Sequence, residues 1–161
     1  MGFNRTWSSR WFSRGNDYSR LVHEDLRMKK AIKAKYAHAG IAEVVIERVG
    51  PKVRVIIHTA RPGIIIGRGG KEIESLKSFL EGIAKREVYV DIREVDKPEL
   101  NALLVGEGIA VQLEKRIAYR RAMRKAVEIA LKMGAKGIKV MCSGRLGGVE
   151  IARSEWYLKG R

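Results

Sequence analysis

The chain has 161 residues, of which 33 are lysine or arginine and 18 are aspartate or glutamate, so its formal net charge at pH 7 is +15. A surplus of this size makes a polyanion the expected partner. With 45% hydrophobic residues, the chain can bury one modest core or two small ones. No apolar stretch approaches the roughly 20 residues that span a bilayer. We therefore expect a cytoplasmic protein that binds nucleic acid and no membrane.

The surplus of positive charge lies at the two ends of the chain. Residues 1–36 carry 9 basic and 3 acidic side chains, residues 37–110 carry 11 of each, and residues 111–161 carry 13 and 4. The net charges of these segments are therefore +6, 0 and +9. A module that samples one strand needs one basic face, whereas this distribution indicates RNA on several sides of the protein.

Residues 1–19 form a polar, irregular N-terminal arm in which arginines are interleaved with aromatic residues. Arginine and indole planes can stack on unpaired bases while guanidinium groups reach phosphates. The alternative is an arm whose tryptophans pack on their own domain. The candidate RNA contacts of the arm are Arg5, Trp7, Arg10, Trp11 and Arg14.

An amphipathic helix and a hairpin are predicted next. The apolar residues in 20–36 fall within about 160° of a helical wheel. The polar face of this helix is basic, and Lys30 and Lys33 are its candidate phosphate contacts. The apolar period then changes to two over residues 44–48 and 53–58, with a turn at 49–52, which predicts two antiparallel strands.

A glycine-rich loop, Gly67-Arg68-Gly69-Gly70, is the most informative motif of the chain. It has the GxxG form with which KH modules clamp a short run of single-stranded nucleic acid. Glycines let the backbone approach a sugar-phosphate chain closely, and Arg68 and Lys71 supply the countercharge. A glycine-rich turn that merely joins two elements is the alternative.

The sequence of this loop excludes two nucleotide-binding motifs. A P-loop needs serine or threonine after its lysine, but Lys71 is followed by Glu72, whose charge would repel a triphosphate. A dinucleotide fingerprint would need glycine at position 72. The loop therefore predicts contact with a nucleic-acid backbone.

The elements on either side of the loop differ in how clearly they are predicted. In residues 62–66, three isoleucines favour a strand, while Pro62 suits the first position of a short helix. After the loop, the spacing of Ile73, Leu76, Leu80 and Ile83 predicts a helix packed on a sheet. Its N-terminus starts at the glycines, so its free amides would point toward a bound phosphate. A strand over residues 88–93 follows.

The last third of the chain predicts two helices, at 99–116 and 118–133, one strand at 138–142 and a weaker one at 150–157. Two helices over so small a sheet leave apolar surface uncovered. We therefore expect a fragment, a shortened gene product or a domain that folds fully only against RNA and neighbouring proteins.

The second of these helices has a basic face. Measured from Arg120, the side chains of Arg121, Arg124 and Lys125 fall within about 140° of the wheel, and apolar residues fill most of the complementary arc. Four cations with no acid over six residues repel one another unless an anion compensates. A solvated charged face is the alternative.

Longer stretches of the sequence resemble one family. The order of the predicted elements resembles the type II KH domain, here residues 20–97. The wider resemblance is carried by Thr59-Ala60-Arg61-Pro62-Gly63, Lys97-Pro98-Glu99-Leu100, Arg120-Arg121-Ala122-Met123, Ser143-Gly144-Arg145-Leu146-Gly147-Gly148, Ile151-Ala152-Arg153 and Glu155-Trp156-Tyr157. These stretches are similar to the bacterial-type small-subunit ribosomal protein three, and the likeness covers almost the whole chain.

The resemblance implies an α+β fold, in which a type II KH domain precedes a second α+β domain at residues 98–161. The second domain would be two helices on a small, incomplete β-sheet. Compared with the family, the chain is shortened at both ends, because members have a longer N-terminal lead and continue beyond Arg161 with strands that complete this sheet. Gly69 also stands where the family usually has a second basic residue.

The resemblance also implies a function. Family members sit on the solvent side of the small-subunit head, beside other head proteins, where they bind the subunit's rRNA and help form the entrance of the mRNA channel. The positions matching Arg120, Arg121 and Arg124 face incoming mRNA, and Lys125 lies beside them. The further candidate contacts to rRNA in this part of the chain are Lys115, Arg116 and Arg145.

Catalysis is not expected. A nuclease needs clustered carboxylates or a histidine pair, whereas most acids here alternate with bases. A lyase needs a lysine with a lowered pKa, and no sequence pattern identifies one. Cys142 has no cysteine or histidine at metal-ligand spacing, so no metal site is expected. We also expect no cofactor and no small-molecule substrate. The alternative function is a free-standing KH-type regulator that binds RNA off the ribosome.

Overall fold

The computed structural model describes residues 6–15 and 17–160 of the chain. Contacts between residues divide it into two compact units, with the division between Asp96 and Lys97. Arg5, a candidate RNA contact of the arm, lies outside the described residues. Among the residues that are described, no helix combines the length and the apolar character that crossing a bilayer requires.

The first unit combines a sheet with helices. In chain order its elements are strand β1 (Ser9–Arg10), helix α1 (Asp17–Lys35), strands β2 (Ile41–Val49) and β3 (Lys52–Thr59), helices α2 (Pro62–Ile66) and α3 (Lys71–Ala84), and strand β4 (Val88–Glu94). The strands lie in the order β1-β2-β3-β4, with β2 antiparallel to β3 and the other two pairs parallel. The predicted helices and hairpin are present, and β1 is an addition that the sequence pattern does not predict.

The ambiguous segment before the glycine loop is a helix. Pro62 lies in its first turn, where a backbone N–H has no partner within the helix and its absence costs little. Ile65 is fully buried, whereas Ile64 and Ile66 are 43% and 40% exposed. The helix therefore buries one isoleucine and leaves two apolar side chains beside the loop.

The core of the first unit lies between the sheet and helices α1 and α3. Ile46 and Ile57 of the hairpin are fully buried, together with Ile32 of α1 and Leu76 and Leu80 of α3. The paired strands place side chains of the same face opposite one another, which aligns the apolar residues of β2 and β3. The predicted packing of α3 on the sheet is confirmed.

A buried carboxylate, Asp25 of α1, joins three parts of the first unit. Its Oδ1 atom lies 2.6 Å from Nη2 and 3.2 Å from Nε of Arg48 on β2. Its Oδ2 atom accepts hydrogen bonds from Ser9 Oγ at 2.9 Å and from Trp11 Nε1 at 2.8 Å. The side chains of Asp25 and Arg48 are each only 4% exposed, so the pair is shielded from water. Helix, strand and arm are therefore tied to one charge pair.

Lys29, one turn further along α1, also anchors the arm. Its Nζ atom donates to the carbonyl of Ser8 at 3.1 Å, to Ser8 Oγ at 2.9 Å and to Ser9 Oγ at 3.1 Å. Burial lowers the pKa of Lys29, and the nearby Asp25 carboxylate opposes that shift. Because all three donor positions of the ammonium group are occupied, this lysine is part of the anchor and is not a free nucleophile.

The second unit consists of helices α4 (Ala102–Glu114) and α5 (Tyr119–Lys132) and strands β5 (Gly137–Gly144) and β6 (Arg153–Gly160), which pair antiparallel. Asn101 caps α4, because its side-chain oxygen accepts from the amides of Leu103 and Leu104. Ile109, Met123 and Val140 belong to its small core. Each predicted element is present, with boundaries that shift by one to three residues.

Apolar surface remains uncovered in the second unit. Met141, Trp156 and Leu158 on its two strands are 63%, 58% and 57% exposed. They alternate along the strands with the core residues Val140 and Tyr157, so they lie on the face of the two-stranded sheet opposite its helices. The uncovered apolar surface that the sequence predicts is therefore present on this sheet.

We predict that Asp25→Ala strongly destabilises the first unit, because the buried Arg48 would keep only Glu24 as an ionic partner, and Ser9 and Trp11 would lose their acceptor. Loss of one member of a buried pair typically costs about 3–5 kcal/mol. Urea unfolding followed by circular dichroism measures the change. Asp17→Ala is the matched control, since Asp17 is also on α1 but its pair with Arg20 is exposed. Similar losses in the two variants would contradict the role assigned to Asp25.

Candidate nucleic-acid interface

The GxxG loop joins α2 to α3, and its glycines have left-handed backbone angles. Gly67, Gly69 and Gly70 have φ values of +70°, +63° and +78°. A Cβ atom on Gly67 would lie 2.5 Å from Cγ and 2.7 Å from Cβ of Glu72, whereas one on Gly69 would meet open space. Gly67 is therefore required by packing as well as by backbone conformation, and Gly69 by conformation alone.

Charges of both signs surround this loop. Arg68 and Lys71 are exposed, and no ion pair involves either of them among the described residues. The first turn of α3 also carries Glu72 and Glu74, which occupy the positive end of the helix dipole. Glu72 lies 4.0 Å from the ammonium group of Lys35. The helix N-terminus is thus less attractive to phosphate than its sequence position suggests, and Arg68 and Lys71 carry the free countercharge.

The aromatic residues of the arm divide into two groups. Trp11 is half-buried, donates its indole N–H to Asp25 and lies 5.7 Å below the guanidinium carbon of Arg48. Trp7 and Phe12 are 85% and 81% exposed. Trp11 thus fits the alternative in which the arm packs on its own domain, while Trp7 and Phe12 present open faces on which bases could stack.

The predicted cations of the first unit also differ in their partners. Arg10 forms an ion pair with Glu47 at 3.3 Å, and Arg14 lies over the ring of Phe12 at 5.7 Å. Lys30 and Lys33 are exposed on α1, and within the described part of the chain no ion pair involves them. The two lysines are therefore the freest phosphate contacts of the helix.

Helix α5 separates apolar from basic side chains as the wheel predicts. Ala122, Met123, Val127 and Ala130 are buried. Its basic face, which we define as Arg120, Arg121, Arg124 and Lys125, is exposed. In the described residues, Arg121 and Lys125 take part in no ion pair, and Arg124 lies 5.6 Å from the centre of the Tyr157 ring.

Arg120 differs from its three neighbours because it is held by an acid on another element. Its Nε and Nη2 atoms donate to Oε2 and Oε1 of Glu155 on β6, each at 3.2 Å. Tyr119 donates its hydroxyl to the same carboxylate at 2.7 Å, and Nε of Arg153 lies 3.3 Å away. The expected repulsion among the cations of α5 is thus partly relieved within the protein.

The environment of Glu155 favours its ionised form. Hydrogen bonds from Arg120 and then from Tyr119 lower the pKa of Glu155, and the carboxylate in turn raises the pKa of Arg120. The first turn of α5 contains no acid, and Ala118 provides no side-chain cap. Glu155 therefore supplies the negative charge that the start of this helix lacks in its own sequence.

The remaining candidate contacts lie outside α5. Lys115 and Arg116 are exposed after the end of α4, and Arg116 has a φ of +60°. Arg145 donates from Nε to the carbonyl of Val149 at 3.0 Å, which fixes its side chain against the following loop. In the described part of the chain, no side-chain hydrogen bond or ion pair joins these three residues to the basic face.

Three charged residues that organise these surfaces are not among the site residues predicted from the sequence: Asp25, Arg48 and Glu155. Asp25 could have been found, because it lies in the buried stripe of α1 between Leu21 and Met28. Glu155 could not, since its contact with Arg120 depends on how β6 lies against α5. In the parts of the chain described here, no cluster of metal-ligating side chains is present.

Comparison with known proteins identifies the family. Residues 27–100, which include the GxxG loop, match the KH domain, and residues 109–161 match the family described as ribosomal protein S3, C-terminal domain. Small ribosomal subunit protein uS3 of Acidobacterium capsulatum is 59% identical over 161 residues, which are 100% of this chain and 72% of that protein. The chain belongs to the uS3 family.

Other uS3 proteins are similarly related. Those of Koribacter versatilis and Solibacter usitatus are both 58% identical over the whole chain, which spans 72% of the first and 46% of the second. The family resemblance and the α+β fold, a KH domain followed by the uS3 C-terminal domain, are confirmed. Membership of this family of structural ribosomal proteins also agrees with a chain that is not an enzyme.

We predict that Gly67→Ala destabilises the KH domain more than Gly69→Ala does. Both variants force alanine to a positive φ, which costs about 1–2 kcal/mol in the left-handed helical conformation of Gly69. The cost is larger at Gly67, whose ψ of −178° lies in a region that essentially only glycine adopts. Only at position 67 does the new methyl group also collide with Glu72. Urea unfolding of the two variants measures the difference. Equal losses would show that the close approach of Gly67 to α3 is not a constraint.

Proposed function

We propose that this chain acts as a structural RNA-binding subunit in the head of the small ribosomal subunit, in the cytoplasm. There it binds small-subunit rRNA, contacts neighbouring head proteins and contributes its basic face to the entrance of the mRNA channel. Membership of the uS3 family supports the ribosomal role. The observation that carries the mRNA role is the exposure of Arg121, Arg124 and Lys125 on one side of α5.

The basic face suits a sugar-phosphate backbone. Residues three and four apart on a helix are neighbours, so Arg121 lies next to Arg124 and Lys125 on the surface. Each cation that meets a phosphate releases counterions, which gives affinity without reading sequence. A surface that must accept every message needs this kind of contact, because base-specific contacts would favour some messages over others.

Strand separation at such an entrance would be passive in this protein. The loop at 67–70 lacks the residues of a nucleotide-binding P-loop, so no motif in this loop would couple nucleotide hydrolysis to movement. Cations that hold single-stranded phosphates would instead favour the opened form of a hairpin. The force that moves the message would come from the translocating ribosome.

The arm and the KH loop would serve the contact with rRNA. Trp7 and Phe12 offer exposed aromatic faces for unpaired bases, and Arg14 adds a cation beside Phe12. Arg68 and Lys71 flank glycines that allow a close approach of the backbone. The anchored strand β1 fixes where the arm leaves the domain, so fewer degrees of freedom are lost on binding.

A free-standing KH-type RNA-binding regulator remains the second candidate. It is favoured by the open GxxG loop, next to which the apolar side chains of Ile64 and Ile66 are exposed. Sedimentation of cell extracts through a sucrose gradient separates the two functions. The ribosomal role predicts that the protein travels with small subunits, and a large free pool would favour the regulator.

For the mRNA role, we predict that Arg121→Ala combined with Arg124→Ala slows translation through a stable hairpin and leaves unstructured messages unaffected. Lys132→Ala with Lys136→Ala is the control, because it removes the same charge from exposed residues away from the start of α5. Reconstituted translation of paired reporters measures the effect. Equal rates on both reporters in the arginine variant would contradict the mRNA role, while its normal incorporation into subunits would leave the rRNA role intact.

A further inference from the structure

Glu155 stands out on the surface around α5 because it is an acid among cations. It contacts Arg120 through two hydrogen bonds, Arg153 through an ion pair and Tyr119 through a third hydrogen bond. Arg121 and Lys125, on the same helix, take part in no ion pair among the residues described. One cation of the basic face is thus occupied in the free protein, and its neighbours are open.

The bond that holds Arg120 is of the kind that RNA would use. A guanidinium group binds a carboxylate and a phosphate with the same planar, two-pronged geometry. Glu155 therefore fills the position that two oxygens of a phosphodiester would take. The two acceptors cannot occupy the same donors at the same time.

We propose that Glu155 is an intramolecular competitor of RNA phosphate, which keeps Arg120 out of the RNA contact until a phosphodiester displaces it. The inference rests on the proposed binding of mRNA at the basic face, and it adds a residue that controls how tightly that face binds RNA. Glu155 itself touches no RNA while it holds Arg120, so it tunes the site through Arg120.

The exposure of the pair makes this exchange feasible. The side chains of Arg120 and Glu155 are 57% and 25% exposed. Exposed ion pairs are weak and screened, in contrast to the buried pair of Asp25 and Arg48. A phosphate can therefore reach the guanidinium group, and the carboxylate can turn toward Arg153, which remains beside it. The pair can open and close without unfolding the helix.

The lowered pKa of Glu155 supports this account. Arg120 and Tyr119 hold the pKa of Glu155 below its usual value, which is itself well below neutral pH, so the carboxylate competes as a full negative charge. After displacement it would also repel the bound phosphate. The result is a weaker hold on RNA than the number of cations implies, which suits a surface past which a message must move.

Binding of a fluorescent single-stranded uridine oligonucleotide to the full chain tests the inference. Glu155→Gln should bind about two- to fivefold more tightly, which corresponds to the strength of an exposed ion pair. The dependence of log K on log salt should stay nearly unchanged, because Arg120 meets a phosphate in the bound state of both proteins. Glu128→Gln is the matched control, since it removes one exposed acid of α5 for which the described residues show no ion pair.

A second substitution separates competition from net charge. In the Arg120→Ala background, Glu155→Gln should give no gain in affinity beyond that of Glu128→Gln, because the cation that it frees is gone. Weaker binding by Glu155→Gln would mean that Glu155 pre-orients Arg120, and it would overturn the inference. Equal effects of Glu155→Gln and Glu128→Gln, or a gain that persists without Arg120, would overturn it as well.

The wild-type protein gives a test that does not depend on folding of a variant. The carbon-13 resonance of the Glu155 carboxyl group should shift when RNA is added, and by more than that of Glu128. An unchanged Glu155 resonance at saturating RNA would contradict displacement. The Arg121→Ala variant distinguishes failure of the proposed function from failure of this inference. Unchanged RNA affinity in that variant would show that the basic face itself does not bind RNA.

Discussion

The constraint on which this structure depends is a shortage of acids. With 33 cations and 18 acids in the chain, ion pairing within the protein leaves many cations without a carboxylate. Where the acids lie therefore decides which cations are structural and which are open. Arg48 is taken by Asp25 and Arg120 by Glu155, whereas Arg121 has no acidic partner among the described residues. The pattern of binding surfaces follows from this allocation.

The same arginine–carboxylate contact has different roles in a buried and in an exposed environment. The pair of Asp25 and Arg48 is buried and further bonded to the arm, so that it acts as a fixed joint. The pair of Arg120 and Glu155 is exposed, so a competing anion can reach it. Burial makes opening the first pair costly, and solvent makes opening the second pair cheap.

Sequence patterns predicted the parts of the fold that depend on local periodicity. The amphipathic faces of α1, α3 and α5 and the hairpin follow from apolar spacing, and the GxxG loop from its glycines. Strand β1 has two residues, too few for a periodic signal, and its position depends on pairing with β2. Periodicity also left residues 62–66 undecided, because five residues satisfy a strand and a helical turn equally.

The sequence predicts which cations belong to the candidate site, but it does not predict which of them form ion pairs. The sequence shows that cations cluster on α5, yet the separation of 35 residues between Arg120 and Glu155 hides their contact. Trp11 and Trp7 are also alike in sequence, and only packing on Asp25 and Arg48 distinguishes the anchored indole from the exposed one. Long-range contacts of this kind depend on the tertiary fold, and no local pattern records them.

Residue-resolved acetylation of lysines, with and without small-subunit rRNA, tests most directly whether cations without internal partners bind RNA. The account predicts that Lys33, Lys71 and Lys125, which are exposed and form no ion pair among the described residues, become protected when rRNA binds. Lys52 and Lys77, which pair with Glu87 and Glu81, should change little. Equal protection of both groups, or protection of the paired lysines alone, would contradict it.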